Sequence, residues 1–181
     1  MRLTNTLVVT LFAALMAFSA RSFAANAAPF GLEIGVATID QVKKEVGSKN
    51  RLEKTGTNKF SQGAMYSTDG SGLDIDGLQS ALFIFDPSNV LVGVVIKMNK
   101  DPKSMAKTFS TKYQVVSNRI DNFMNYGYAR FQKGDSFIEI DAAHLSFDME
   151  VRYVTKGLMA KFNQTSDDEE TAKKQKKANA L

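Results

Sequence analysis

A chain of 181 residues without cysteine excludes a lipidated-cysteine anchor, thiol catalysis and thiolate metal sites, and its length suits one domain or two small halves sharing a core. The formal charge of +4 falls to about +2 once Arg2 and Arg21 leave with a leader, and five of the remaining positives, Lys161, Lys173, Lys174, Lys176 and Lys177, lie in or just before the tail. No clustered basic face is left on the folded part, which argues against a nucleic-acid partner.

Arg2 opens the chain, an apolar run follows from Leu7 to Phe18, and small residues recur in Ser22-Phe23-Ala24 and Ala25-Asn26-Ala27. A charged start, an apolar middle and a small-x-small end describe a secretory signal peptide over residues 1–27, cut after Ala24 or Ala27. The run is too short for a bilayer span of roughly 20 residues, so no transmembrane segment is expected after cleavage. The expectation is a periplasmic or secreted protein, held together by packing alone.

Thr38-Ile39-Asp40-Gln41 is a capping box, and Ile39, Val42 and Val46 form one apolar stripe. A short helix is predicted from Ile39 to Val46, stopped by a left-handed Gly47. Strands are expected at 51–55, 63–67, 81–85 and 90–98, with turns at Asp69-Gly70-Ser71-Gly72 and Asp86-Pro87-Ser88-Asn89. Asp101-Pro102 starts a second helix whose buried side carries Met105, Phe109 and Tyr113. Four more strands are predicted at 114–120, 124–132, 136–141 and 146–154, with Gly134-Asp135 as a hairpin turn. In the last of them Phe147, Met149, Val151 and Tyr153 alternate with Asp148, Glu150 and Arg152, the pattern of a strand with one solvated face.

The fold class predicted is α+β: a largely antiparallel sheet of seven to eight strands with two short helices on one face. A single domain spans 28–162, and its order admits a tandem duplication of helix-plus-strands units over 30–99 and 100–160. Residues 163–181 read as a charged tail, helical or disordered. Asp167-Asp168-Glu169-Glu170 precedes Lys173-Lys174 and Lys176-Lys177, which suits a helix dipole but offers no apolar face.

The opening Gly31-Leu32-x-x-Gly35-x-x-Thr38-x-x-x-Val42-x-x-x-x-Gly47 resembles small bacterial envelope domains: the β-lactamase-inhibitor proteins and the small outer-membrane-assembly lipoproteins. The former are tandem repeats of a helical part followed by four strands, the order read here. The chain lacks the lipidated cysteine of one family and the disulfides of the other. The resemblance therefore implies a fold and a class, envelope proteins that bind other macromolecules, and no particular loop or interface.

Four groups of residues are candidates for chemistry. His144 is the only histidine, with Asp141 three residues before it, and the pair fits a general base oriented by a carboxylate in a hydrolase-type enzyme. A lone turn histidine is more often a surface residue, so no catalytic residue is expected. Asp69, Asp74 and Asp76 form an acidic stretch compatible with a calcium- or glycan-binding module, but their spacing departs from a calcium loop. No metal or cofactor is therefore expected, and the alternation with Leu73 and Ile75 reads as a strand with a wet face. Tyr126, Tyr128 and Arg130 are expected on one strand face with Met124, and Tyr and Arg dominate binding hot spots. The function expected is an exported envelope protein that binds a protein, polymer or ligand without catalysis, through Tyr126, Tyr128 and Arg130.

Overall fold

The computed structural model describes residues 25–178, so the greater part of the expected signal peptide lies outside the described residues. After a 3-10 turn at Pro29–Gly31 come α1 (Ile39–Glu45), β1 (Glu53–Thr57), β2 (Ala64–Thr68), β3 (Leu78–Phe85) and β4 (Leu91–Asn99). The second run is α2 (Pro102–Ser110), β5 (Gln114–Ile120), β6 (Gly127–Lys133), β7 (Ser136–Ala142) and β8 (Asp148–Thr155), and α3 (Lys156–Ala178) closes the described chain.

The eight strands form one antiparallel sheet in the order β1-β2-β3-β4-β8-β7-β6-β5. Each run of four is a meander joined by short connections, and the two meet through their last strands, β4 and β8, in register from Gly93↔Val154 to Asn99↔Asp148. This is the α+β class expected, with helix-plus-four-strand units laid edge to edge.

Strand alternation divides the sheet into two faces. Phe83, Val94, Ile96, Phe131, Ile138, Ile140, Met149, Val151 and Tyr153 fill one of them. α1 covers it with Val42 and Val46, and α2 with Ala106 and Phe109. The Phe109 ring meets Tyr113, Phe131 and Tyr153 edge-on, at 5.3, 5.7 and 6.1 Å. Both helices begin as their caps dictate. Thr38 Oγ1 accepts from Gln41 N–H while Gln41 Oε1 accepts from Thr38 N–H, and Asp101 accepts from Ser104 N–H.

Several boundaries differ from expectation, each for a local reason. Gly47 is not left-handed; the chain keeps turning past Val46, and a Cβ at Gly47 would strike the Lys43 carbonyl. β6 starts at Gly127 rather than Met124, because Asp121 Oδ1 accepts from the N–H groups of Phe123 and Met124, both at 2.7 Å, and Asn125 adopts φ 49°. Residues 73–77 are a loop and not a strand, with Asp74 at φ 51° and Gly77 at 74°. Phe147 precedes β8 and points to solvent.

The two ends of the domain also differ. Asn26 and Ala27 belong to the fold: Ala27 is fully buried and its N–H donates to Ser136 Oγ at 3.0 Å. Asn26 binds Ile34 O through its amide nitrogen and the Asp135 N–H through its amide oxygen. At the other end a helix begins at Lys156, directly after β8, and continues through the charged residues as one element. Thr155 Oγ1 accepts from Leu158 N–H at 3.1 Å, the mark of a helix start. The first turns of α3 lie on the second sheet face, where Leu158 packs over Gly93 and the Phe162 ring meets Phe60 at 5.0 Å. Among the described residues no helix is long and apolar enough to cross a membrane.

Candidate functional site

The second sheet face is only partly covered, and its open part is charged. Arg130 on β6 stands directly opposite Glu139 on β7, and Glu139 directly opposite Arg152 on β8. Side chains alternate along each strand, so all three project to the same side. Tyr128 joins them from two residues earlier on β6.

Glu139 is the centre of this row, with 4% of its surface exposed. Its Oε1 accepts from Tyr128 OH at 2.6 Å, from Arg130 Nε at 2.9 Å and from Arg130 Nη2 at 2.6 Å. Its Oε2 faces Arg152 Nη1 at 3.8 Å. Arg152 then bridges outward, with Nη2 at 2.9 Å from Asp141 Oδ2 and 2.7 Å from Glu150 Oε2. A buried carboxylate without such donors costs several kcal/mol; here the donors come from both neighbouring strands. Arg130 is also flanked by the Tyr128 and Phe137 rings, whose centres lie 5.7 and 5.3 Å from its guanidinium carbon.

The electrostatics follow from this packing. Burial first, then the hydrogen bond to the Glu139 carboxylate, pushes the Tyr128 phenol up to about 12. Burial works against the charge of Arg130, but Glu139 outweighs it and holds the guanidinium above its ordinary range. Arg152 is held up in the same way by Glu150 and Asp141, against burial. Tyr128 thus stays a neutral donor and both arginines stay charged across the physiological range.

Beside this row, α3 and the sheet enclose a cleft of about 640 Å³. Phe60, Ile84, Val154, Leu158, Met159 and Phe162 make its apolar walls, and Tyr128, Arg130, Glu139 and Arg152 its polar side. A concave, largely apolar space with a few fixed polar groups is the usual form of a ligand site. It offers an apolar body a wall to lie against and a polar group the outer edges of two arginines, which Glu139, Asp141 and Glu150 hold in place.

The candidate residues from the sequence are not all brought together. Tyr128 and Arg130 share the open face. Tyr126 lies in the loop before β6, where its ring meets the His144 ring edge-on at 4.7 Å. Met124 sits further back in that loop, 59% exposed. Asp141 turns to Arg152 and not to His144, which sits in the exposed turn after β7 with no carboxylate bonded to it. Asp69 Oδ1 accepts from the N–H and hydroxyl of Ser71. Asp69, Asp74 and Asp76 do not converge, and among the described residues no three acidic or histidine side chains are placed to share a metal ion.

Two partners of the site escaped the reading of the sequence. Glu139 was available from the hairpin: a turn at Gly134-Asp135 that pairs Lys133 with Ser136 also pairs Arg130 with Glu139. The apolar wall of α3 was written in Thr155-x-x-Leu158-Met159-x-x-Phe162, a cap followed by an i, i+1, i+4 stripe. The chain matches no protein-family model, no curated protein and no solved structure.

Proposed function

We propose that the chain is an exported protein of the bacterial envelope that acts by binding, and that its binding site is the cleft between α3 and the open sheet face. The occupant is a segment of an envelope protein or polymer with an apolar stretch and an adjoining polar group. In architecture we place it with the helix-plus-four-strand repeat domains that its opening motif resembles. The cleft carries the reading: apolar walls from α3 face a fixed row of Tyr128, Arg130 and Arg152.

A photo-crosslinking residue placed at Met159, on the wall of the cleft, tests it in living cells. A discrete adduct is expected from Met159 and none from Asp40, an exposed residue on α1 over the opposite face. The double substitution Tyr128→Ala/Arg130→Ala is expected to abolish the adduct while the circular dichroism spectrum is kept. An adduct that survives the double substitution removes Tyr128 and Arg130 from the site. No adduct from Met159 in the intact protein removes the cleft.

A further inference from the structure

A second surface lies at one end of the sheet, away from the cleft. The loop between β5 and β6 presents Phe123 at 91% and Met124 at 59% exposure, and the loop between β7 and β8 presents Leu145 at 90% and Phe147 at 93%. Every other exposed large apolar side chain among the described residues is at 59% or less. The most exposed apolar groups of the protein are thus gathered on two loops.

Those loops are neighbours and are braced. Lys100 Nζ donates to Ala143 O, His144 O and Ser146 O at 2.6, 3.3 and 3.0 Å, and Lys100 N–H donates to Phe147 O at 3.1 Å. Asn125 Nδ2 reaches Lys100 O, Lys103 Nζ reaches Asn122 O, and the Tyr126 and His144 rings lean on each other. One lysine between β4 and α2 therefore ties both loops to the body of the fold. The exposed side chains thus stand on loops that hydrogen bonds hold to the body of the fold.

We infer that these two loops are a lipid-insertion surface, which seats Phe123, Met124, Leu145 and Phe147 in the outer part of a phospholipid bilayer. The four side chains offer about 600 Å² of apolar surface, taking 150–250 Å² for an aromatic ring. A stable protein interface buries about 800 Å² on each partner in a continuous patch. Protruding tips on separate loops fall short of that, yet they suit a fluid medium that closes around each one. Charge around the tips is balanced: Lys100 and Lys103 stand beside Asp101 and Asp121, and the ammonium groups turn inward to carbonyls. Insertion is then driven by apolar burial, with little preference for anionic headgroups. The surface does not depend on the cleft, and its occupant is the bilayer itself.

Flotation of the exported protein with phospholipid vesicles is the test. Binding is expected to vesicles of phosphatidylcholine alone, as well as to vesicles containing phosphatidylglycerol, and to persist at high salt. The Phe123→Ser/Leu145→Ser/Phe147→Ser variant is expected to lose about tenfold or more of this affinity while melting like the parent, since none of the three is packed. The chain has no tryptophan, so Phe147→Trp is a clean reporter whose emission is expected to shift to the blue with vesicles. Binding to anionic vesicles alone, abolished by salt, would assign the contact to lysines and overturn the proposal. So would equal binding by the serine variant, or no binding and no emission shift in the reporter.

Discussion

The backbone N–H of Ala27 donates to the hydroxyl of Ser136, 109 positions along the chain, at 3.0 Å in the buried interior. The first described residues are therefore stitched to the start of β7. Cleavage of a leader after Ala27 would remove this contact and both side-chain bonds of Asn26. Processing is expected after Ala24, and intact-mass measurement of the exported protein should show Ala25 as the first residue. Deletion of 25–27 is expected to lower the melting temperature by about 4–8 °C, the equivalent of roughly 2 kcal/mol in a domain of this size.

The buried carboxylate of Glu139 gives a second expectation. In Glu139→Ala, Arg130, Arg152 and Tyr128 lose their common acceptor and two guanidinium groups are left facing each other. A loss of about 2–4 kcal/mol is expected in urea unfolding, toward the low side of the range for broken buried pairs because both arginines keep some contact with water. Glu139→Gln keeps an acceptor oxygen and should lose less. Equal losses would show that the charge, and not shape or an acceptor oxygen, is what the site requires.

Alkaline pH should reveal Tyr128. A phenol ionises ordinarily near 10, and in the folded protein Tyr128 is pushed up to about 12 by burial and by Glu139. Burial raises Tyr113 and Tyr153 as well. The unfolded chain then releases protons that the native chain retains, so this contribution is complete below pH 10 and falls as the pH rises toward 12. Urea midpoints measured over this window should decline, and Tyr128→Phe should decline less steeply. A flat profile would mean that these phenols are open to water.

The helix α3 divides into a packed start and a free remainder. Truncation after Asn163 is expected to leave the melting temperature within about 3 °C of the parent, since the later contact, Lys59 with Glu169, is an exposed pair worth little. Truncation after Thr155 also removes Leu158, Met159 and Phe162 and should lower it by about 5–10 °C, the scale of 2–3 kcal/mol. Equal melting of the two forms would show that the helix does not pack on the sheet.

Legibility in the sequence followed the range of the interactions. Caps act over three residues, and Thr38 and Asp101 announce both helices of the covered face. Alternation acts over two, and it reads β8 correctly from Asp148 to Val154. The Arg130–Glu139 pair is one hairpin away and is within reach of arithmetic. The pairing of β4 with β8 joins residues 49 to 61 positions apart, and nothing local in Val95 or Arg152 points to the other. The start of α3 is masked in the sequence because the strand pattern of β8 runs up to Val154 and only a few apolar residues, between Leu158 and Phe162, precede the charged stretch. Alternation places Tyr126 on the face of Tyr128 and Arg130, but the left-handed backbone of Asn125 breaks the strand before it.

The joining of the halves through β4 and β8 sets a timetable for the nascent molecule. β4 is complete when residue 99 has emerged, and its partner is the last strand of the sheet. Until residue 155 follows, Leu91 to Asn99 is a long, apolar strand with an open hydrogen-bonding edge, the very feature that invites association with other chains. The finished protein hides that edge at its centre and leaves the shorter, largely exposed strands β1 and β5 at its margins. The hazard belongs to the interval of synthesis and vanishes with the final strand. A holding chaperone that shields β4 during that interval would act on a surface that the folded molecule no longer has.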